Sequence, residues 1–202
     1  PKEGAQDEGG MRPIALLPYV YRLWMCVRKK DIEKWASSMH GGKFKSAEAL
    51  AWELAARGEA ARLERRHFVS AFLDCSKCYE RVDQQHAHTR ACSTGCSPTV
   101  ANLAMDMYSR RRIIQVRGAH SKDVQVNRGM LAGCGFAVHF LKAIIIGILQ
   151  GVPVSTRDYV DDIVLHSCDG SKEQVVLDMQ EAIQQVTSSL EGIQQVLNKE
   201  KE

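Results

Sequence analysis

The 202 residues predict an α+β fold. Three observations carry that prediction. Strand-like and helix-like stretches are mixed along the chain, two of the strand-like stretches have the form of hairpins, and the composition is that of a globular protein. With 45% hydrophobic and 25% charged residues, a chain of this length buries a core of its own.

Residues 1–12 are polar and glycine-bearing and read as a loop. A helix begins beyond Pro18 and runs towards Lys34, and Gly41-Gly42 breaks it. Ser46 has the position of an N-cap for an alanine-rich helix over residues 47–65. The run His67-Phe-Val-Ser-Ala-Phe-Leu-Asp74 has strand character. Residues 98–110 form another helix, with Pro98 in its first turn. Arg112–Arg117 and Val124–Val126 read as a β-hairpin around Gly118-Ala-His-Ser. Gly129, Gly133 and Gly135 precede an apolar helix over residues 136–150. Tyr159-Val-Asp-Asp-Ile-Val-Leu165 has apolar arms on both sides of two carboxylates, as a tight hairpin has. Val176, Met179, Ile183, Val186, Leu190, Ile193 and Leu197 then recur at steps of three and four. That spacing suits a helix laying one face on a sheet better than a coiled coil, which Gly192 would interrupt.

The formal charge of +3 is mild and selects no partner by itself. Positive charge is concentrated in Arg28-Lys29-Lys30, Arg65-Arg66 and Arg110-Arg111-Arg112, runs that attract phosphate backbones or simply form solvated faces. Seven cysteines without a signal peptide fit a reducing, intracellular setting, with nucleus and cytoplasm undecided. The apolar run Phe136–Val152 carries His139 and Lys142 and falls short of the roughly 18 apolar residues a membrane span needs, so no membrane partner is expected. The chain opens at Pro1 and stops after Lys199-Glu-Lys-Glu, which reads as a fragment.

Asp74, Asp161 and Asp162 stand at the ends or tips of predicted strands. Clustered carboxylates repel one another, so such a constellation calls for a cation. Hard oxygen ligands favour Mg²⁺, which takes one or two protein carboxylates and completes its shell with substrate phosphates. A surface hairpin with Asp-Asp in its turn is the plainer alternative, and the apolar arms argue against it. A second alternative is zinc. Cys75-x₂-Cys78 and Cys92-x₃-Cys96 have acceptable spacings, with His86 and His88 between them as spare ligands. Against zinc, Cys75 adjoins Asp74 in an extended run, and the second pair lies in a separate loop.

Tyr159-Val-Asp-Asp162 resembles the Y-x-D-D motif of reverse transcriptases, and four further blocks fall in that family's order. Arg12-Pro-Ile-Ala-Leu-Leu-Pro-Tyr-Val-Tyr-Arg22 resembles the R-P-I-x-L-L fingers block of non-LTR retrotransposon enzymes. Phe72-Leu-Asp74-Cys-Ser-Lys77-Cys-Tyr79-Glu-Arg-Val82 resembles the palm block D-x-x-K-A-F-D-R-V. Arg128-Gly-Met-Leu-Ala-Gly133-Cys resembles R-G-x-x-Q-G-C, and Leu197-Asn198-Lys-Glu-Lys201 resembles L-N-x-x-K. Ala132 departs from the pattern, standing where many relatives have Gln.

The resemblance implies a right-hand polymerase with fingers over residues 1–66 and palm over 67–202, the palm an antiparallel sheet backed by helices. A fingers-like or helical insertion falls near 84–127, and the thumb is absent. It implies RNA-directed DNA synthesis by a retroelement enzyme, with RNA template, DNA primer and dNTPs as partners and Mg²⁺, or alternatively Mn²⁺, as cofactor. Asp74 and Asp161 would be the principal metal ligands, with Asp162 auxiliary and Lys201 donating a proton to the leaving pyrophosphate. Tyr79 would lie under the sugar and exclude a 2′-hydroxyl, and Arg12 would sit near the triphosphate. Gly129, Gly133 and Tyr159 complete the substrate-contacting set. A catalytically decayed remnant that still grips nucleic acid is the competing expectation.

Overall fold

In the computed structural model, residues 14–40, 46–131 and 133–197 are described. Two of the long helices start where a serine hydroxyl takes up a free N–H group. Helix α1 spans Tyr19–His40, entering directly after Pro18. Helix α2, Ala47–Leu63, is capped by Ser46, whose hydroxyl accepts from the Ala49 N–H at 3.1 Å. Strand β1 covers His67–Asp74. Three helices follow: α3 (Cys78–Arg81), α4 (Gln84–Ser93) and α5 (Pro98–Ser109). Pro98 takes the first turn of α5, where its missing N–H is not needed. A two-stranded ribbon, β2 (Gln115–Val116) and β3 (Ala119–His120), precedes α6 (Ala137–Leu149). Strands β4 (Ser155–Tyr159) and β5 (Asp162–Asp169) and helix α7 (Lys172–Gly192) complete the order.

The main sheet is antiparallel with order β1-β5-β4, so β5 is its centre. Its two faces differ because side chains alternate along each strand. Val69, Ala71 and Leu73 of β1 and Ile163 and Leu165 of β5 join one core. Phe140 and Ile144 of α6 and Met179, Val186 and Leu190 of α7 pack into the same cluster. The opposite face holds Phe68, Ser70, Phe72 and Asp74 beside Asp162, Val164 and His166. Helix α2 covers its far end, bringing Gly58 against the Phe68 ring. Glu53 of α2 is tied to the edge strand by the Arg157 guanidinium, which donates to one carboxylate oxygen at 3.2 and 2.7 Å. Helix α1 is held by Trp35 on Phe140 and by the Trp35 indole donating to the Thr94 carbonyl at 3.1 Å. No helix among the described residues is long and apolar enough to cross a membrane.

Three expectations need correction. The ribbon turns at Arg117-Gly118, both with positive φ, so its return strand is Ala119–His120 and only an isolated Arg112–Val124 bridge remains of the longer pairing. The segment holding Cys92 is a helix, not a loop; its buried side is built from Ala87 and Ala91, too small to print an apolar pattern. In α7 the buried face is Val175, Met179, Ala182, Val186 and Leu190, while Val176 is 43% exposed and Ile193 and Leu197 lie past the helix end.

Candidate catalytic carboxylate site

Strand β1 reaches the sheet's end at Asp74, and the β4–β5 hairpin reaches the same end at Val160-Asp161. Register does the rest. Asp74 and Asp162 are direct Cα partners across β1 and β5, and Tyr159 pairs with Asp162 from the other side. Asp161 sits in the two-residue connection between them. Asp74 and Asp162, 88 residues apart in sequence, are therefore neighbours.

The connection is strained. Val160 has φ +60°, a region β-branched residues rarely enter and hairpins of this length normally give to glycine. Strain of this kind persists where the surrounding structure fixes it, and it concentrates at functional sites. Here it sets Asp161 at the tip.

Behind the carboxylates lies the Cys75–Cys78 turn, with Lys77 at φ +50° ahead of α3. Both thiols are buried and hydrogen-bonded to each other. That bond holds the Cys75 thiol below its ordinary range, against burial and the negative charge of Asp161, Asp74 and Asp162. The same bond, together with burial, pushes the Cys78 thiol up. One thiol feels the charge of all three carboxylates. Tyr79 follows, half-buried; burial first, and the Asp161 charge second, raise its phenol, so the ring stays neutral.

The glycine-bearing block docks under this turn. Gly129 N–H donates to the Val82 carbonyl and Met130 N–H to the Tyr79 carbonyl, both at 2.8 Å. Gly129 has φ +85°, and a Cβ there would lie 2.8 Å from the Glu80 carbonyl oxygen, so only glycine fits. Gly133 lies on the far side of the block, beside the Ala15 carbonyl rather than the carboxylates. The chain also returns to the site after α7: Ser76 N–H donates to the Val196 carbonyl at 2.8 Å, and Leu197 bridges Cys75. Arg12, Ala132 and Lys201 lie outside the described residues.

Several contributors were not visible in sequence. Lys142, an apparent interruption of the apolar α6, reaches Asp158 at 3.6 Å, next to Tyr159. Its only signal was one cation in an apolar helix. Gln195 is buried and donates to the Cys78 carbonyl at 3.3 Å. Cys134 accepts the Tyr108 hydroxyl at 3.1 Å and lies 3.6 Å from that of Tyr21, joining α1 and α5 to the glycine block. Phe72, 69% exposed, occupies the same face two residues before Asp74.

The carboxylates suit a hard divalent cation. Asp74, Asp161 and Asp162 offer oxygen donors from adjoining positions, and such an ion needs only one or two of them before phosphates complete its shell. Among the described residues no three His, Cys, Asp or Glu side chains are gathered into a group that could hold a metal ion, the three aspartates and the four cysteines alike. The cysteines are moreover engaged elsewhere. Cys92 lies 3.8 Å from His88 within α4, His88 meets Asn102 at 2.6 Å, and the Cys96 thiol donates to the Ser97 carbonyl. Burial, then Cys92, pushes the Cys96 thiol up to about 12, a protonated packing residue and a poor zinc ligand.

No curated protein matches the chain by sequence. Among solved structures it is similar to telomerase from Candida tropicalis in three forms. The apo enzyme truncated from its C-terminal domain gives a TM-score of 0.58 at 12% identity, covering 91% of this chain and 40% of that one. The complex with a TWJ fragment of telomeric RNA gives 0.62 at 11% identity, covering 91% and 34%. The apo enzyme gives 0.61 at 11% identity, covering 91% and 35%. Identities this low speak to the fold alone, and the chain spans two fifths or less of those proteins. The profile of the reverse transcriptase (RNA-dependent DNA polymerase) family matches residues 1–202. A match of that extent settles the ancestry of the carboxylate-bearing sheet: the chain belongs to the reverse transcriptase family.

Proposed function

We propose that the chain is the fingers and palm of a retroelement reverse transcriptase, which extends a DNA primer with dNTPs on an RNA template using two Mg²⁺ ions. The fingers cover residues 1–66 and the palm residues 67–202, with an insertion near 84–127. The observation that carries the reading is the in-register Asp74–Asp162 pair with Asp161 at the adjoining tip. Reverse transcriptase domains use divalent metal ions, and one of the similar telomerase structures holds an RNA fragment.

In this reading Asp74 and Asp161 are the principal metal ligands and Asp162 assists. Bound divalent ions supply positive charge at the attacking hydroxyl and the departing pyrophosphate. The primer 3′-oxygen attacks the α-phosphorus of the incoming nucleotide, its proton leaves, and the α–β bridging oxygen departs with pyrophosphate. Tyr79 packs under the deoxyribose as a neutral ring and leaves no room for a 2′-hydroxyl. Gly129 lets the glycine block lie flat against Glu80, which fixes the height of Tyr79. Phe72 and Tyr159 give the open face apolar contact beside the carboxylates.

The test is primer extension on an RNA template. Asp161→Asn is expected to lower the rate by more than about 100-fold, the upper end for a mere outer-shell change. Chelation of divalent ions stops the unmodified protein. Extension by Asp161→Asn at the unmodified rate would sink the assignment. Template binding without any extension by the unmodified protein would mark a decayed remnant.

A further inference from the structure

Between residues 110 and 128 the chain carries six Arg or Lys and one Asp, a net +5, so the remainder of the protein is net negative. The structure gathers this charge on one projection. From Arg112 to Val124 the chain runs out and back as an antiparallel arm, closed by the Arg117-Gly118 turn. Positive φ at both turn residues, +49° and +84°, gives the tight reversal that matches strand twist and puts Arg117 at the tip.

The arm is rooted rather than loose. Arg112 donates to the Tyr108 carbonyl at 2.9 Å, Gln125 to the Ser109 carbonyl at 3.2 Å, and Arg112 and Val124 exchange both backbone hydrogen bonds. Beyond that root every residue from Ile113 to Gln125 is exposed. Ile113, Ile114 and Val116 are among them, Ile113 at 62%. The charges are poorly neutralised from within. Arg110 pairs with Asp106 and Arg111 reaches Asp123 only at 4.0 Å, both in solvent, where such pairs are weak. Arg117 and Lys122 face solvent, and neither forms an ion pair among the described residues.

We propose that the β2–β3 arm is a clamp for the phosphate backbone of nucleic acid, separate from the carboxylate site; this rests on the polymerase reading above. Charge selects the occupant. Arginine forks match phosphate geometry, and a stiff ribbon with cations at its tip and flanks can follow a backbone without reading bases. The exposed isoleucines add apolar contact with sugars. The arm leads into Gly129, where the chain becomes buried and whose N–H is bonded to the Val82 carbonyl, so a backbone held there stays in fixed relation to Tyr79.

The experiment compares binding of a labelled RNA–DNA heteroduplex, and of the RNA strand alone, at several salt concentrations. The variant Arg111→Gln/Arg117→Gln/Lys122→Gln spares the rooted Arg112. It is expected to bind about tenfold or more weakly across unrelated sequences, with a log K against log salt slope smaller by about 2 to 3. Loss on the heteroduplex alone assigns the clamp to duplex, and loss on both probes to any phosphate strand; either supports it. Arg111→Lys/Arg117→Lys keeps the charge and should keep the slope, which also controls for folding. Unchanged affinity and slope in the Gln variant overturn the clamp. So does a Gln variant that loses polyglutamate binding while holding nucleic acid normally, which would mark an acidic protein partner. The two readings fail separately. A protein that binds with the expected slope but extends no primer loses the polymerase reading alone. A Gln variant that binds normally in a protein that extends primers loses the clamp alone.

Discussion

At Tyr79 the surroundings fix both protonation and position. Burial and the Asp161 charge keep the phenol neutral, and its backbone carbonyl is tied to Met130. A ring held this way can exclude a 2′-hydroxyl by shape. Tyr79→Val is accordingly expected to raise ribonucleotide use relative to deoxynucleotide use by about 10- to 100-fold, read as the ratio of the two kcat/KM values. An unchanged ratio would remove Tyr79 from sugar selection. Asp74, Asp161 and Asp162 were legible because each interrupts or ends an apolar run, where a carboxylate is costly to place. Their supports were not. Lys142–Asp158, Arg157–Glu53 and Gln195–Cys78 join residues far apart in the chain, 104 positions in the second pair and 117 in the third, and no local pattern announces such partners.

Among the elements, strand β1 and the tip of the β4–β5 hairpin were legible as apolar runs that meet carboxylates, while α4 and the β2–β3 turn were not. Alanines bury without contrast, and Arg117 occupies a positive-φ position that sequence patterns assign to Asn, Asp or Gly. The glycine block makes a sharper case. Its expected closeness to substrate becomes, at Gly129, closeness to the Glu80 backbone, with a positive φ besides. Gly129→Ala therefore meets backbone rather than a yielding side chain. It should destabilise the protein by about 2 kcal/mol or more, seen as a lower urea midpoint. If the Ala variant unfolds at the same midpoint, the loop tolerates a Cβ and the docking of the block onto α3 is looser than its two 2.8 Å bonds imply.

Over the whole molecule, the two faces of the sheet place titratable groups in unequal surroundings. The α6–α7 face is apolar apart from the Lys142–Asp158 pair, whereas the α2 face buries His166, 3% exposed, between Ser70 and Ser155 with the Phe68 ring 6.1 Å away. Burial lowers its pKa; Arg57 and Arg157 lower it further, and Glu53 opposes them weakly. His139 at the α1–α6 junction is lowered for the same first reason, then by Lys142 and against Glu33. An unfolded histidine titrates near about 6.5. Below that pH the unfolded chain takes up protons that the folded protein refuses, so stability rises with pH through this region. It is complete above about 6.5 and is lost as the pH falls towards the depressed folded values. The urea midpoint should thus be level above neutrality and decline on acidification from about pH 6.5, before most carboxylates titrate. His166→Phe, a flat ring beside Phe68 with no proton to bind, should make that decline shallower. Equal slopes in the two proteins would mean that His166 takes up its proton in the folded state as readily as in the unfolded one, and that the α2 face admits water as the carboxylate end does.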